Sequence, residues 1–409
     1  MNEKSKNLFL FWIGLLGAFQ FRFIGTFYGV EIIAFLSYFF IPWKIYQKNL
    51  MVKKFIKMSL LWLLGSIIAN VWNASETELA LKGIFNIIFF IVQIPFVYWA
   101  IHDKLSRWLF FYLGYAISTV LNFYFFRLEG IETLEAKTIW MFYAWTQFAV
   151  AIAAILYYRG MHNLSYIVAI GLGVYGLFNG SRNMFLTLSL ASIVLFYIDR
   201  IKTNDLNRRI VQYKRRVFGL VIALAIGSFA VSNSYEYLAS NGILGEAAYE
   251  KYMMQKYTQM GLASGRGDFI IGAEFVIRNP IVGYGSFAKD KEGLRGKLCE
   301  KYGIEYSERL AALNGVVVPA HSVLIGQWNW HGILAGIFWI YYLLLMYKSF
   351  KNGIFMNEPR LMGLGVFVSM MILWDILFSP MAARTPYVFY AIYLILLQKN
   401  NSSLKISQS

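Results

Sequence analysis

The sequence predicts an all-α polytopic membrane protein with about twelve transmembrane helices. Hydrophobic residues make up 58% of the 409 positions and charged residues 15%, against ~45–50% and ~25% in soluble domains. Apolar runs long enough to cross ~30 Å of hydrocarbon recur along the chain. Aromatic residues reach 18% and cluster where such runs end, as in Trp328-Asn329-Trp330, which is typical of interfacial aromatic belts. The expected solvent of this chain is therefore a lipid bilayer.

Twelve apolar runs define the predicted spans, taken in chain order. They lie at roughly 8–21, 27–46, 55–72, 81–101, 106–126, 138–158, 164–179, 184–199, 217–234, 321–347, 361–379 and 385–398. The first two are closely spaced, so a re-entrant hairpin is the alternative for that pair. No small-residue cleavage pattern follows Leu8, which favours an uncleaved span over a signal peptide.

Charge asymmetry orients the predicted spans. With the N-terminus in the cytoplasm, the inner linkers and termini carry 22 basic and five acidic residues, whereas the outer linkers carry 16 basic and 15 acidic ones. The net charge of +16 therefore follows the positive-inside rule, and both termini are expected in the cytoplasm. A nucleic-acid partner is not needed to explain it. The basic segment 200–216 is assigned to topology in preference to headgroup binding.

The chain divides into three predicted parts. Residues 1–234 form a membrane bundle of spans 1–9, 235–320 form a long outer loop, and 321–409 form spans 10–12 with a cytoplasmic tail. A polar segment of that length is expected to carry structure and function. Its ten basic and ten acidic residues balance, so its overall charge does not attract an anion.

Four features are predicted within the outer loop. Residues 245–261 are expected to form an interfacial helix, and 264–278 a second short helix lying on the membrane and stopped by Asn279-Pro280. The glycines of 280–287 permit close backbone approach to a ligand or to another segment. Residues 289–309 carry charges of both signs and are expected to form a solvated surface.

Three outward-facing residues suit phosphate chemistry. Arg182, Arg266 and His321 all fall at span or helix ends on the outer side. A guanidinium matches phosphate oxygens, and a histidine titrates near neutral pH. The alternatives are headgroup snorkelling for Arg182, a surface charge at a helix entry for Arg266, and a hydrogen-bonded interfacial histidine for His321.

Two acidic residues fall within predicted spans, where ionisable groups are costly and often functional. They are Glu31 and Asp375, each near the outer end of its helix. Their candidate partners are Arg22 and Arg384, and a structural ion pair is the equal alternative to a role at the site.

The other histidines are assigned away from the outer site. His331 is interpreted as packed in the bundle, and His102 and His162 belong to inner linkers. The single cysteine, Cys299, provides neither an intramolecular disulfide nor a cysteine-based metal site. Phosphate-cradling loops and His-Glu-x-x-His pairs are also missing from the sequence. No metal or cofactor is expected.

The order of these motifs resembles a known superfamily. Ser181-Arg182, Gly265-Arg266, the passage from Asn279 to Gly285, and Ala320-His321-Ser322 follow one another as in the O-antigen polymerases and O-antigen ligases (Wzy and WaaL types). The resemblance is concentrated in 179–186 and 264–336. Family members typically show His-Asn where this chain has His321-Ser322.

The resemblance implies a metal-independent glycosyltransferase with a GT-C-like bundle. It would work on the outer face of the bacterial inner membrane, with a glycan on undecaprenyl pyrophosphate as donor. Arg182 and Arg266 would bind the pyrophosphate, and His321 would activate the acceptor hydroxyl or position the pyrophosphate. Further candidate substrate-binding residues are Arg278, Tyr284, Arg22, Arg384, Glu31 and Asp375.

A polymerase is favoured among the activities that the resemblance allows. It would transfer the growing glycan to another lipid-linked repeat unit, whereas a ligase would transfer it to lipid A-core. A lipid-linked oligosaccharide flippase is a rival from another class, but it should place charges along a central cavity and lack the long outer loop. A non-catalytic scaffold is a third alternative. Expected partners are membrane lipids, the lipid-linked oligosaccharide, and a chain-length regulator and flippase of the same pathway.

Overall fold

The computed structural model is mostly helical and forms a membrane bundle with a small cap at one end. It describes residues 2–17, 19–22, 26–41, 47, 49–125, 134–178, 181–201, 212, 237–238, 240–243, 249, 267–302, 317–320, 322–379, 381 and 383–406.

Thirteen α-helices are present in these residues. They are α1 (Glu3–Leu16), α2 (Gly29–Ser37), α3 (Leu50–Trp72), α4 (Thr77–Ile101), α5 (Arg107–Phe125), α6 (Leu134–Tyr158), α7 (His162–Phe178), α8 (Arg182–Asp199), α9 (Gly267–Arg278), α10 (Leu294–Lys301), α11 (Val323–Lys351), α12 (Met362–Phe378) and α13 (Thr385–Ile406). Strands β1 (Gln20–Arg22) and β2 (Thr26–Tyr28) form an antiparallel hairpin. Two 3₁₀ turns, Ile354–Asn357 and Pro359–Leu361, join α11 to α12.

The predicted positions of nine spans are occupied by helices, namely α3 to α8 and α11 to α13. Within the described residues, four helical segments are long and apolar enough to cross a membrane: Leu50–Trp72, Thr77–Ile101, Val323–Lys351 and Pro359–Phe378. The chain is thus mostly helical, with four candidate membrane-spanning segments in its described part, as an all-α membrane protein requires. Twelve spans and a GT-C-like arrangement stay predictions, and the predicted span at 217–234 lies outside the described residues.

The first two predicted spans are not two continuous helices. The helix predicted over 8–21 ends at Leu16, and within 27–46 only nine described residues are helical. At 1.5 Å per residue, α1 and α2 are about 21 and 13 Å long, less than the ~30 Å needed to cross alone. The β-hairpin that joins them pairs Phe21 with Phe27. Its apolar residues look like helix sequence, which is why the hydrophobic pattern extended both spans too far.

Glycines bring α1 and α5 into direct backbone contact. A Cβ atom at Gly14 would lie 2.0 Å from the Phe111 carbonyl oxygen, and one at Gly114 would lie 2.1 Å from the Phe11 oxygen. Small residues permit this approach between membrane helices, where packing contributes more than hydrophobic burial. The contact fixes α1 against the bundle.

Charged groups close one end of the bundle, which we call the inner end. Arg107, at the start of α5, donates to both carboxylate oxygens of Glu3 at 3.2 Å and also bonds Asp103. On the neighbouring helices, the Asp199 carboxylate accepts from Tyr157 at 2.6 Å and from His162 Nδ1 at 2.7 Å. These contacts join the ends of α1 and α5, and those of α6, α7 and α8.

Helix α11 is broken at Gly332, where φ is 68° and ψ is −164°. The break frees backbone groups that the loop after α9 then satisfies. Tyr284 N–H donates to the Asn329 oxygen at 2.7 Å, Gly285 N–H donates to the Trp330 oxygen at 3.0 Å, and Ile333 N–H donates to the Ile281 oxygen at 3.0 Å. Irregular backbone inside a membrane helix is tolerated where protein covers it in this way.

The outer loop contains a small cap, defined here as residues 267–302 and 317–320. The cap has its own hydrophobic core, separate from that of the bundle. This core consists of Ile271, Phe275, Leu294, Leu298, Cys299 and Val318. Helix α9 confirms the predicted helix that Asn279-Pro280 stops. The predicted helix at 245–261 lies almost wholly outside the described residues.

One prediction within the cap needs a correction for residues 289–302, the described part of 289–309. Their charged side chains are mostly exposed, but α10 forms inside them and buries Leu294, Leu298 and Cys299. Lys289 also forms a backbone bridge with Val317. Three apolar positions spaced along one helical face are enough for burial, even among charges of both signs.

Candidate functional site at the outer end

The structure does not describe the side chains of the three predicted catalytic residues. Arg266 and His321 lie outside the described residues. Arg182 is the first residue of α8, whose N-cap is Ser181, but its side chain is likewise outside the described part. The catalytic assignment therefore stays a prediction from sequence.

Described residues next to Arg266 and His321 converge on the end of α12. Phe269 in the first turn of α9 packs against Phe378, with ring centroids 5.9 Å apart. Ser322 at the start of α11 donates its hydroxyl to the Ile376 carbonyl oxygen at 2.9 Å. Since α12 also packs along α8, three helices that begin beside the predicted residues share one neighbour.

The cap and α11 are joined by a buried asparagine. Asn329 donates its side-chain amide to the carbonyl oxygens of Gly272 at 3.0 Å and of Pro319 at 3.2 Å. Gly272 is needed there because a Cβ atom would lie 2.8 Å from Ile325. The entry to α9 and the entry to α11 are thus held in a fixed relation.

A buried ion pair lies between α2 and the start of α13. Arg384 donates from Nε to Glu31 Oε1 at 2.6 Å and from Nη2 to Oε2 at 2.7 Å. Glu31 is fully buried, and Arg384 is 6% exposed. A planar guanidinium that binds both carboxylate oxygens is the strongest geometry for such a pair. The Glu31 pairing open between Arg22 and Arg384 is therefore with Arg384.

Polar neighbours complete this ion pair. Glu31 also accepts from the Tyr28 backbone N–H at 3.0 Å and from Gln93 at 3.2 Å. Arg384 bonds Asn86, and Thr385 donates to Gln93 at 2.7 Å. The arrangement fits a structural ion pair that ties α2, α4 and α13 together. A substrate-binding role for either residue stays a prediction.

The other candidate substrate-binding residues differ in setting. Arg278 is exposed at the end of α9. Tyr284 packs its ring on Phe275 at 5.5 Å and donates its hydroxyl to the Phe275 oxygen at 3.2 Å, and burial raises the pKa of its phenol. Arg22 belongs to β1, with its side chain outside the described part. Asp375 lies beside Tyr387, within the bundle.

His331 takes part in a buried network that sequence reasoning missed. Trp62 Nε1 donates to His331 Nδ1 at 3.1 Å, and His331 Nε2 lies 3.1 Å from the Ser286 hydroxyl. Asn70 donates to the same hydroxyl at 2.9 Å and accepts from Ser286 N–H at 2.8 Å. The histidine is packed in the bundle, as expected, but the cap loop descends to meet it.

This serine and histidine do not form a nucleophile and base. Because an indole N–H only donates, His331 Nδ1 must accept, and the neutral ring then carries its proton on Nε2. Nε2 therefore donates to Ser286 and cannot take its proton. Ser286 and His331 are both buried. We interpret the network as the clamp that holds the cap loop on the broken helix.

Within the described part of the chain, no group of three or more His, Cys, Asp or Glu residues is placed to hold a metal ion.

No family model matches the chain, and no curated protein matches it either. Function is therefore inferred from the residues and geometry of this chain.

Proposed function

We propose that the protein is a surface-polysaccharide polymerase of the O-antigen type. It transfers a growing glycan from undecaprenyl pyrophosphate to another lipid-linked repeat unit on the outer face of the membrane. The observation that carries this proposal is the cap. A folded unit with its own core is docked on a broken membrane helix, and the described residues beside Arg266 and His321 meet at the end of α12.

The proposed reaction needs only charge stabilisation and proton transfer. The acceptor hydroxyl oxygen forms a bond to the anomeric carbon of the donor, the bond from that carbon to pyrophosphate breaks, and the hydroxyl proton is removed. Arg182 and Arg266 stabilise the negative charge that develops on the pyrophosphate. His321 accepts the hydroxyl proton or positions the pyrophosphate.

The rival functions differ in where they need charge and structure. A flippase requires polar groups along a central cavity, whereas Glu31 and Arg384 neutralise each other in a packed cluster. A scaffold gives no reason for arginines and a histidine at three helix entries. A ligase uses the same donor chemistry, so only its acceptor, lipid A-core, distinguishes it.

Alanine variants at Arg266 and His321 test the assignment in cells. Each should reduce long-chain polysaccharide by about 100-fold, the order of effect for losing one charge-stabilising group or one general base. The readout is the chain-length distribution of surface polysaccharide on gels, together with the amount of protein in the membrane.

Matched controls are available on the same molecule. Lys297→Ala removes an exposed cation from the cap, and His102→Ala removes an exposed histidine from the end of α4. Both should leave chain lengths unchanged. Normal chain lengths in Arg266→Ala and His321→Ala, with normal protein amounts, would overturn the site assignment.

A further inference from the structure

The length of α11 indicates where the bilayer ends. After the break, Ile333 to Lys351 would span about 28 Å of straight helix, close to the ~30 Å thickness of the hydrocarbon core. Val323 to His331 precede the break and are not needed to cross that core. Lys348 and Lys351 occupy the opposite end of the helix, as expected for its inner boundary. The break therefore lies near the outer surface of the hydrocarbon.

The exposed apolar residues of α11 support this boundary. Large exposed hydrophobic side chains form one stripe that starts directly after the break. The stripe consists of Ile333, Ile337, Ile340, Leu344 and Tyr347. Their spacing of three and four residues places them on one helical face. None of the large exposed hydrophobic residues lies between Val323 and His331, so the stripe begins at the break.

The same apolar surface continues onto the cap. Ile281, which is 69% exposed, accepts through its carbonyl oxygen from Ile333 N–H at 3.0 Å. Ile277, in the last turn of α9, is 73% exposed. The partly exposed Trp328 donates its indole N–H to the Pro280 oxygen at 2.8 Å, beside these residues. Tryptophan at this level is typical of a membrane interface.

We propose that the cap is anchored in the outer leaflet of the bilayer through Ile277 and Ile281. The two isoleucines enter the headgroup and acyl boundary, where they extend the lipid-facing stripe of α11. Exposed Arg278 between them adds a cation at the level of the headgroup phosphates. Only the end of α9 and the loop after it touch lipid, whereas the first turn of α9 packs on Phe378.

Site-directed spin labelling tests this anchor in the full-length protein. Cys299→Ala provides a cysteine-free background, into which cysteine is introduced separately at Ile277, Ile281, Ile340 and Lys297. The labelled proteins are placed in phosphatidylethanolamine and phosphatidylglycerol vesicles. Collision with oxygen reports lipid exposure, and collision with a water-soluble nickel complex reports exposure to water.

Labels at Ile277 and Ile281 should collide with oxygen more than with nickel, as the label at Ile340 does on the membrane face of α11. The label at Lys297 should show the reverse. Nickel collision at Ile277 and Ile281 as high as at Lys297 would overturn the proposal. Protection from both reagents would also overturn it, because a second copy or another protein would then cover the surface.

A crosslinking measurement avoids substitutions in the cap. In the unmodified protein, phospholipid carrying a diazirine near its headgroup should label peptides that contain 277–281 and spare those that contain 289–301. The reverse pattern would contradict the anchor. Neither measurement depends on enzymatic activity, so the anchor and the proposed polymerase function stand or fall separately.

Discussion

Glu31 and Arg384 are 353 positions apart in the chain, yet they form the most completely buried ion pair among the described residues. Each charge would be costly in the bundle without the other, because a low-dielectric interior penalises an isolated ion. The sequence identified Glu31 as costly within its predicted span and gave Arg384 as one of two candidate partners, with Arg22 as the other. The sequence could not decide which arginine pairs with Glu31, because the pairing depends on how α2 and α13 pack.

Removing one partner of this pair should strongly destabilise the protein. Glu31→Gln leaves the buried Arg384 guanidinium uncompensated, and such a change typically costs about 3–5 kcal/mol. We expect a clearly lower melting temperature in detergent. The double variant Glu31→Gln with Arg384→Met should recover part of the loss, because it removes both charges.

The exposed pair of Lys289 and Glu76 is the control for this prediction. Its nitrogen and oxygen atoms are 2.9 Å apart, but both side chains are more than half exposed. Glu76→Gln should therefore change stability by about 1 kcal/mol or less. Equal melting temperatures for Glu31→Gln and Glu76→Gln would show that the buried pair does not stabilise the fold.

The inner-end cluster predicts a dependence on acid pH. The hydrogen bond from Arg107 lowers the pKa of Glu3. For Asp103, partial burial raises the pKa, but hydrogen bonding to Arg107 and its charge outweigh that effect and hold the pKa below its usual value. Both carboxylates therefore favour the folded state when ionised. Their contribution is complete above the unfolded pKa values, near 4, and is lost as pH falls through the lowered folded values.

Melting curves between neutral pH and about pH 3 test this linkage. The melting temperature should stay level down to about pH 5 and fall below about pH 4. Arg107→Gln should lower the neutral-pH melting temperature and make the acid decline shallower. A decline equally steep in that variant would mean that other carboxylates cause it.

At the scale of elements, the break in α11 and the cap loop depend on each other. The glycines of 280–287 were expected to allow close approach to a ligand or to another segment, and the structure places them against α11. A Cβ atom at Gly283 would lie 2.7 Å from the Asn329 oxygen, and one at Gly332 would lie 2.1 Å from the Ile281 oxygen. Both glycines also have positive φ.

Gly332→Ala should destabilise the protein by at least about 2 kcal/mol, because alanine at positive φ is strained and its methyl group meets backbone. Gly171→Ala is the matched control. That residue is exposed within α7, with no atom within 4 Å of an added Cβ, and alanine there should be neutral or stabilising by up to about 1 kcal/mol. Thermal melting of the two variants distinguishes them, and an unchanged melting temperature for Gly332→Ala would contradict the account of the break.

Elements with a clear periodic pattern were predictable from sequence, and those that depend on tertiary contacts were not. Helix α9 follows from its apolar spacing and the Asn279-Pro280 stop. The β-hairpin at Gln20 to Tyr28 was missed because its aromatic residues resemble a continuing span. Helix α10 was missed because it lies in a segment rich in charged residues, and only three of its residues are buried. The link from Ser286 to His331 joins positions 45 residues apart, which only the folding of the cap loop onto the broken helix brings together.

At the scale of the whole molecule, the protein combines a helical bundle with a small folded cap at the end that is predicted to face outward. The predicted excess of basic residues on the inner side and the balance of charge in the outer loop suggest opposite roles for the two ends. The charges on the predicted inner side are expected to set the orientation in the membrane. On the outer side, the placement of a few cations and one histidine at helix entries is what the proposed chemistry uses.

The most direct test of that chemistry uses the purified protein in lipid nanodiscs. It receives a lipid-pyrophosphate-linked repeat unit and no other acceptor. We predict a ladder of longer lipid-linked glycans, released lipid pyrophosphate, and neither product from Arg266→Ala or His321→Ala protein. Absence of elongation by folded protein would contradict a polymerase, and transfer only after lipid A-core is added would identify a ligase instead.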